Sequence, residues 1–170
     1  NRTNSRTMVC CLIPPGVALV EVAPFLLRQR GSEEDEAYLL GVLSSIPFDW
    51  YARRFVELHM KYGLLRGMPV PRPLDNSPLR KRVILNAGRL AAVDQTFADW
   101  AGHVGVPVSS VNTPEERDDL IAELDAVVAL LYGLDREQLV HVFETFHRGW
   151  DYRARLDAVL AHFDNWGRAQ

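Results

Sequence analysis

The sequence predicts an α+β chain, with a small mixed sheet and helices in the N-terminal half and a helical C-terminal half. Three observations carry this expectation. Two β-rich apolar runs, Thr7–Ile13 and Val17–Val22, flank a Pro-Pro-Gly turn. The alternation of Met60, Tyr62 and Leu64 suggests a further strand. From Ser77 almost to the end, apolar residues recur at helical spacing behind capping residues. The expected organisation is a mixed α/β part over residues 1–76 and a helical part over 77–170, both within one unit.

The elements follow in order. Pro14-Pro15-Gly16 supplies a turn, since Pro fixes φ and Gly accepts a positive one. Ser32 before Glu33, Glu34 and Asp35 marks a helix start, where a hydroxyl caps open amides and acids suit the positive end of the dipole. Leu39, Leu43 and Ile46 continue it at helical spacing. Pro47 opens a second helix, where its missing amide hydrogen costs little, and Phe48, Tyr51, Phe55 and Leu58 form its expected apolar face. Gly67–Pro73, GMPVPRP, runs extended, at a sheet edge or across the surface. Ser77-Pro78 opens a long helix with Leu79, Val83, Ala87, Leu90 and Phe97 on one face. Thr113-Pro114-Glu115-Glu116 caps the next, with Leu120, Leu124, Val127 and Leu131 behind it. Gly133 ends that helix, and Asp135 with Gln138 starts another carrying Leu139, Val142 and Phe146. Gly149 and Asp151 punctuate before Leu156, Leu160 and Phe163.

A hydrophobic content of 48% and a charged content of 24% match folded soluble domains and exclude a disordered chain. No run approaches the roughly 18 to 20 apolar residues of a membrane span. No secretory leader opens the chain either, so no membrane partner and a cytoplasmic location are expected. The first residue is Asn1 and not Met, which suits a processed product or an excised piece. Cys10 and Cys11 are adjacent, so a mutual disulfide would be strained, and the pair reads as small buried apolar residues in a reducing compartment. The net charge of −3 conceals an uneven spread. Residues 1–52 carry −2, residues 53–82 carry +6 and residues 83–170 carry −7, so a basic middle suited to a polyanion lies between acidic flanks.

No assembled catalytic site is legible. His141, Glu144 and His147 stand at steps of three, which sets the imidazoles about 120° apart on a helix and rules out the zinc-protease arrangement of histidines at i and i+4. There is no Gly-x-Ser-x-Gly elbow, no Walker loop and no Gly-x-Gly after the first strand. Ile13-Pro14-Pro15-Gly16 lacks the acceptor and the ring that an Asn/Asp-Pro-Pro-aromatic tetrad brings to an extruded base. Glu115/Glu116 and Asp118/Asp119 lie at a solvated helix start, where nothing raises a carboxyl pKa.

The basic middle offers candidates instead. Arg53 has Asp49 and Glu57 four residues to either side and is expected to be held on its own helix. Arg54 lies one turn beyond Trp50, placed to stack on the indole and present its fork outward. Lys61, Arg66 and Arg72 lie in or beside Pro-punctuated extended segments whose side chains can reach phosphates. Arg80, Lys81 and Arg82 fan over about 200° of a first helical turn.

AYLLGVLSSIPFDWYARRFVELHMKYGLLRGMPVPRP, residues Ala37 to Pro73, resembles the target-recognition region of type IIG-like, adenine-specific restriction–modification methylases. The motif is a Leu-rich helix ending in a small pair, then Phe-Asp-Trp, an aromatic and Arg-rich helix, and a Pro-x-Pro exit. ELDAVVALLYGLDREQLVHVFETF, Glu123 to Phe146, is similar to the helical segment that closes such regions, and RTMVCCLIPPG, Arg6 to Gly16, fits the strand pattern before them. The resemblance covers about a third of the chain. It implies recognition of double-stranded DNA on behalf of a methyltransferase domain, sometimes with a nuclease, elsewhere in the polypeptide. That domain would use S-adenosylmethionine, and no catalytic residue, cofactor or metal site is expected in these 170 residues. The DNA-contact candidates are Arg54, Lys61, Arg66, Arg72, Arg80, Lys81 and Arg82. The rival expectation is a protein–protein docking module of a multi-domain restriction or defence complex, using the acidic helical half.

Overall fold

The computed structural model describes residues 4–19, 24–57, 59–146, 149 and 151–168. Its elements are α1 (Glu33–Ser44), α2 (Ile46–Ala52), α3 (Tyr62–Arg66), α4 (Pro78–Ala91), a 3₁₀ turn (Gln95–Phe97), α5 (Ala98–Val104), α6 (Pro114–Leu131), α7 (Arg136–Phe146) and α8 (Arg153–Gly167). The helix starts are local chemistry. Ser32 and Asp35 make a reciprocal capping box on α1. Ser45, Ser77 and Thr113 accept from the amides three residues on, each with a proline in the first turn. Asp135 and Gln138 exchange bonds of 2.8 and 3.0 Å at the start of α7.

The expected mixed sheet is absent, because no described residue is in a strand. Pro15 and Gly16 do form a turn, with Gly16 at φ +79°, but the flanking runs make no ladder among the described residues. Val20, Glu21 and Val22 lie outside those residues. The reason is that the first run is held by other groups. The Thr7 amide donates to both Asp49 carboxylate oxygens at 3.2 and 3.1 Å, and the Met8 amide donates at 3.1 Å. Arg6 Nε adds a bond of 2.7 Å to the same fully buried carboxylate. A helix side chain thus takes the amides that a neighbouring strand would need. The Met60–Leu64 alternation is also not a strand. Tyr62–Arg66 closes a short helix that turns Leu64 and Leu65 toward the core. α4 stops at Ala91, short of the expected Phe97. Asp94 accepts from the Thr96 amide at 2.8 Å and starts the 3₁₀ turn, so Phe97 does not extend the α4 face.

Two apolar clusters share α6. One joins Val42, Phe48, Val56, Val83 and Val104 with Leu124, Val127 and Val128. The other joins Ile46 and Ala122, Ala126 and Ala129 with Leu139, Phe143, Phe146 and Val159. The run Ala126–Ala129 is fully buried on every side, so α6 is a central rod with α4 and α8 against it. Gly41 permits close approach of α1 to α4, since a Cβ there would meet Val83 Cγ1 at 2.7 Å. Buried charge on α6 is answered from neighbouring helices. Asp125 accepts from Arg155 at 2.5 Å and from the Ile46 amide at 2.8 Å. Glu123 accepts from Arg82 at 2.5 Å and from Asn86 and Trp166 at 2.9 Å. Burial opposes its charge, but those donors outweigh it and hold its pKa below the ordinary value of 4.5. Among the described residues, no helix is long and apolar enough to cross a membrane.

Candidate nucleic-acid interface

The surface at the end of α2 begins with Trp50. Its indole Nε1 donates to Thr145 Oγ1 of α7 at 2.8 Å, and its ring meets His141 edge-on at 6.3 Å. Over this fixed ring lies the exposed Arg54 guanidinium, 4.3 Å from the ring centroid. Its neighbour turns the other way. Arg53 donates to the carbonyls of Asn4 and Ser5 at 2.8 and 3.1 Å and lies 4.4 Å over Phe146. Burial lowers its pKa while Asp49 opposes that shift; its bonds to Asn4 and Ser5 tie Arg53 to the N-terminal segment, where its own helix was expected to hold it. The two adjacent arginines therefore divide into one that ties the fold and one on the surface.

Beyond α2, Lys61 is the N-cap of α3 and Arg66 its last residue, both exposed. Tyr62 between them donates to the Phe25 carbonyl at 3.1 Å and accepts from its amide at 3.0 Å. The segment after Gly67 runs extended across the surface, as its prolines require. Two tyrosines strap it down. Tyr132 donates to the Pro69 carbonyl at 2.8 Å and Tyr38 to the Pro71 carbonyl at 2.9 Å. Burial pushes the Tyr38 hydroxyl up to about 12 and raises that of Tyr132 as well, so both stay donors. Arg72 leaves this strap into solvent.

The three candidates on α4 separate. Arg80 is withdrawn: its side chain is 9% exposed, bonds Asp35 at 2.5 Å and lies 5.2 Å over Tyr38. Arg82 is engaged with Glu123, and Lys81 is exposed. Five of the seven sequence candidates thus remain at the surface: Arg54, Lys61, Arg66, Arg72 and Lys81. Among the described residues Lys61, Arg66, Arg72 and Lys81 form no ion pair, whereas Arg80 and Arg82 are spent on the fold.

Two residues the sequence placed in the core belong to this surface. Phe48 is buried, but Tyr51 and Phe55 are 36% and 49% exposed, with ring centroids 5.0 Å apart. The helix ends at Ala52 and tightens, so Val56 takes the inward place that an unbroken helix would give Phe55. Leu58 lies outside the described residues. The clue was the Ala-Arg-Arg step, where the apolar repeat loses its period.

Elsewhere the chemistry is sparse. A half-open pocket of about 240 Å³ lies between Cys10–Leu12 and the α1–α4 seam, and no charged side chain lines it. Cys10 is half-buried there, its thiol pushed up to about 11 by burial, which makes it a poor nucleophile. Cys11 is exposed, contrary to the expected buried pair. Among the described residues no group of three His, Cys, Asp or Glu side chains is placed to hold a metal, and His147 lies outside them. Comparison with family models, curated proteins and solved structures gives no match.

Proposed function

We propose that this chain is the DNA-recognition part of a restriction–modification or phage-defence methylase, and that it positions double-stranded DNA for an adenine-specific methyltransferase domain carried elsewhere. The observation that carries this reading is the exposure of Arg54, Lys61, Arg66, Arg72 and Lys81 within the basic middle of the chain. The cations sit beyond the end of α2, on the short helix α3, on a strapped extended segment and near the start of α4, and such supports hold side chains at fixed places along a phosphate backbone. Residues 51–72 carry five basic and one acidic side chain, which complements a polyanion. The methyl donor, S-adenosylmethionine, belongs to the domain that flips and methylates the base, so the chain alone turns nothing over.

The test is a titration of the whole chain with labelled duplex DNA at several salt concentrations. Each phosphate contact contributes a slope of about 0.9 in log affinity against log salt. Lys61→Ala, Arg66→Ala and Arg72→Ala each lower that slope by about 1. Affinity that ignores salt, or slopes that ignore these changes, would refute the phosphate-positioning role.

A second reading is favoured by a separate observation. The segment before α1 exposes Val9, Val17, Phe25, Leu26 and Leu27, an apolar series that a free surface rarely keeps. In this reading the chain is a docking module of a multi-domain restriction or defence complex. Replacing Phe25 and Leu27 with serine would then abolish assembly with the remaining domains while DNA affinity stayed unchanged.

A further inference from the structure

We infer that Tyr51 and Phe55 form a stacking platform for a base lifted out of the DNA stack. This rests on the DNA-recognition reading above and assigns that surface a preferred substrate, DNA with an unpaired base. Large aromatics are usually buried, yet these two face solvent beside Phe48 and Val56, which are not exposed. The rings are already paired, 5.0 Å apart with planes tilted by 50°. Their backbone is fixed by the buried residues on either side, so the pair is ordered before any ligand arrives.

The surroundings specify the occupant. Arg54 lies between the two rings in sequence and is carried on Trp50. Exposed rings beside an exposed arginine provide what unstacked nucleic acid requires, a π-face for the base and positive charge for the backbone. A base inside an intact duplex offers only its edge in a groove. It must leave the stack to lie on a ring, and that costs least where the base is already unpaired.

The experiment titrates the whole chain with three oligonucleotides of one sequence: an intact duplex, a duplex with one unpaired adenine, and a single strand. The expected result is about tenfold tighter binding to the bulged duplex than to the intact one. The Tyr51→Ala/Phe55→Ala double variant should lose that preference and keep the salt slope. Phe55→Leu retains apolar volume without the π-face, and should weaken the preference without disturbing the fold. With 2-aminopurine at the unpaired position, the wild-type chain should quench its fluorescence and the double variant should not. Equal affinity for all three oligonucleotides, or a preference that survives the double substitution, overturns the platform and leaves the phosphate reading standing. A self-association abolished by the double variant, with the DNA preference intact, would assign the rings to a protein contact and overturn it too. Absence of salt-dependent binding to every oligonucleotide would sink the recognition reading and the platform with it.

Discussion

Arg80, Lys81 and Arg82 stand side by side in sequence, and about 100° of helix rotation per residue sends them to different tasks. Arg82 neutralises Glu123, whose side chain is 6% exposed, and its loss leaves a buried carboxylate with only Asn86 and Trp166 as donors. Arg82→Ala should therefore lower stability by about 3 kcal/mol. Arg80→Ala removes the contacts with Tyr38 and with Asp35, whose side chain is half-exposed, so about 1 kcal/mol is expected. Lys81→Ala should stay within about 0.5 kcal/mol and, on the proposed DNA-recognition role, should reduce the salt slope of binding. Urea unfolding of the three variants tests the order, and a Lys81 variant as costly as the Arg82 one would refute it. Sequence alone did not separate these neighbours, because the partners Asp35 and Glu123 lie 45 and 41 residues away.

At the scale of elements, the glycines of α1 and α5 make a matched pair. Alanine gains about 1 kcal/mol over glycine through helix propensity. At Gly41 the added Cβ would meet Val83 at 2.7 Å, Ala87 at 3.1 Å and Leu124 at 3.2 Å. Overpacking of this kind costs about 1–3 kcal/mol, so Gly41→Ala should lower the melting temperature. At Gly102 nothing lies within 4 Å, and Gly102→Ala should raise it. A Gly41 variant that melts higher than the parent would show that α1 and α4 part without cost. The same scale explains what could be read from the sequence. Helix starts at Ser32, Ser77, Thr113 and Asp135 were legible because a cap is a contact between residues three apart. The strands were not, because a β-rich run becomes a strand only beside another. Here Asp49, some 40 residues on, takes the amides of Thr7 and Met8. The exposed cations were legible as a basic segment, but the exposed rings were not. The early end of α2 that turns Phe55 outward depends on which residue, Phe55 or Val56, the core accepts.

For the whole molecule, charge buried along α6 sets the response to acid. The folded pKa of Glu123 lies below its unfolded value, so its contribution is present above about pH 4.5 and is lost as pH falls through the folded pKa. The urea midpoint should hold above that value and drop below it, and Glu123→Gln should flatten the acid limb. An acid limb unchanged in that variant would place the acid sensitivity elsewhere. On the alkaline side the sign is reversed. Tyr38 is raised from 10.0 to about 12, so its contribution is complete below pH 10 and is lost as pH climbs toward 12, loosening the Pro71 strap.

Because α6 serves both apolar clusters, the described residues offer no seam along which the chain could be recombined. The joint between residues 76 and 77 falls at the cap of α4, a place that looks like a natural crossover point. Yet Val42 and Phe48 on one side pack in the same cluster as Val83, Leu124 and Val128 on the other. A chimera joined there would inherit two half-cores shaped for different mates. If the chain recognises DNA as proposed, a change of preference would therefore arise by substitution of exposed residues, one by one, and not by exchanging halves.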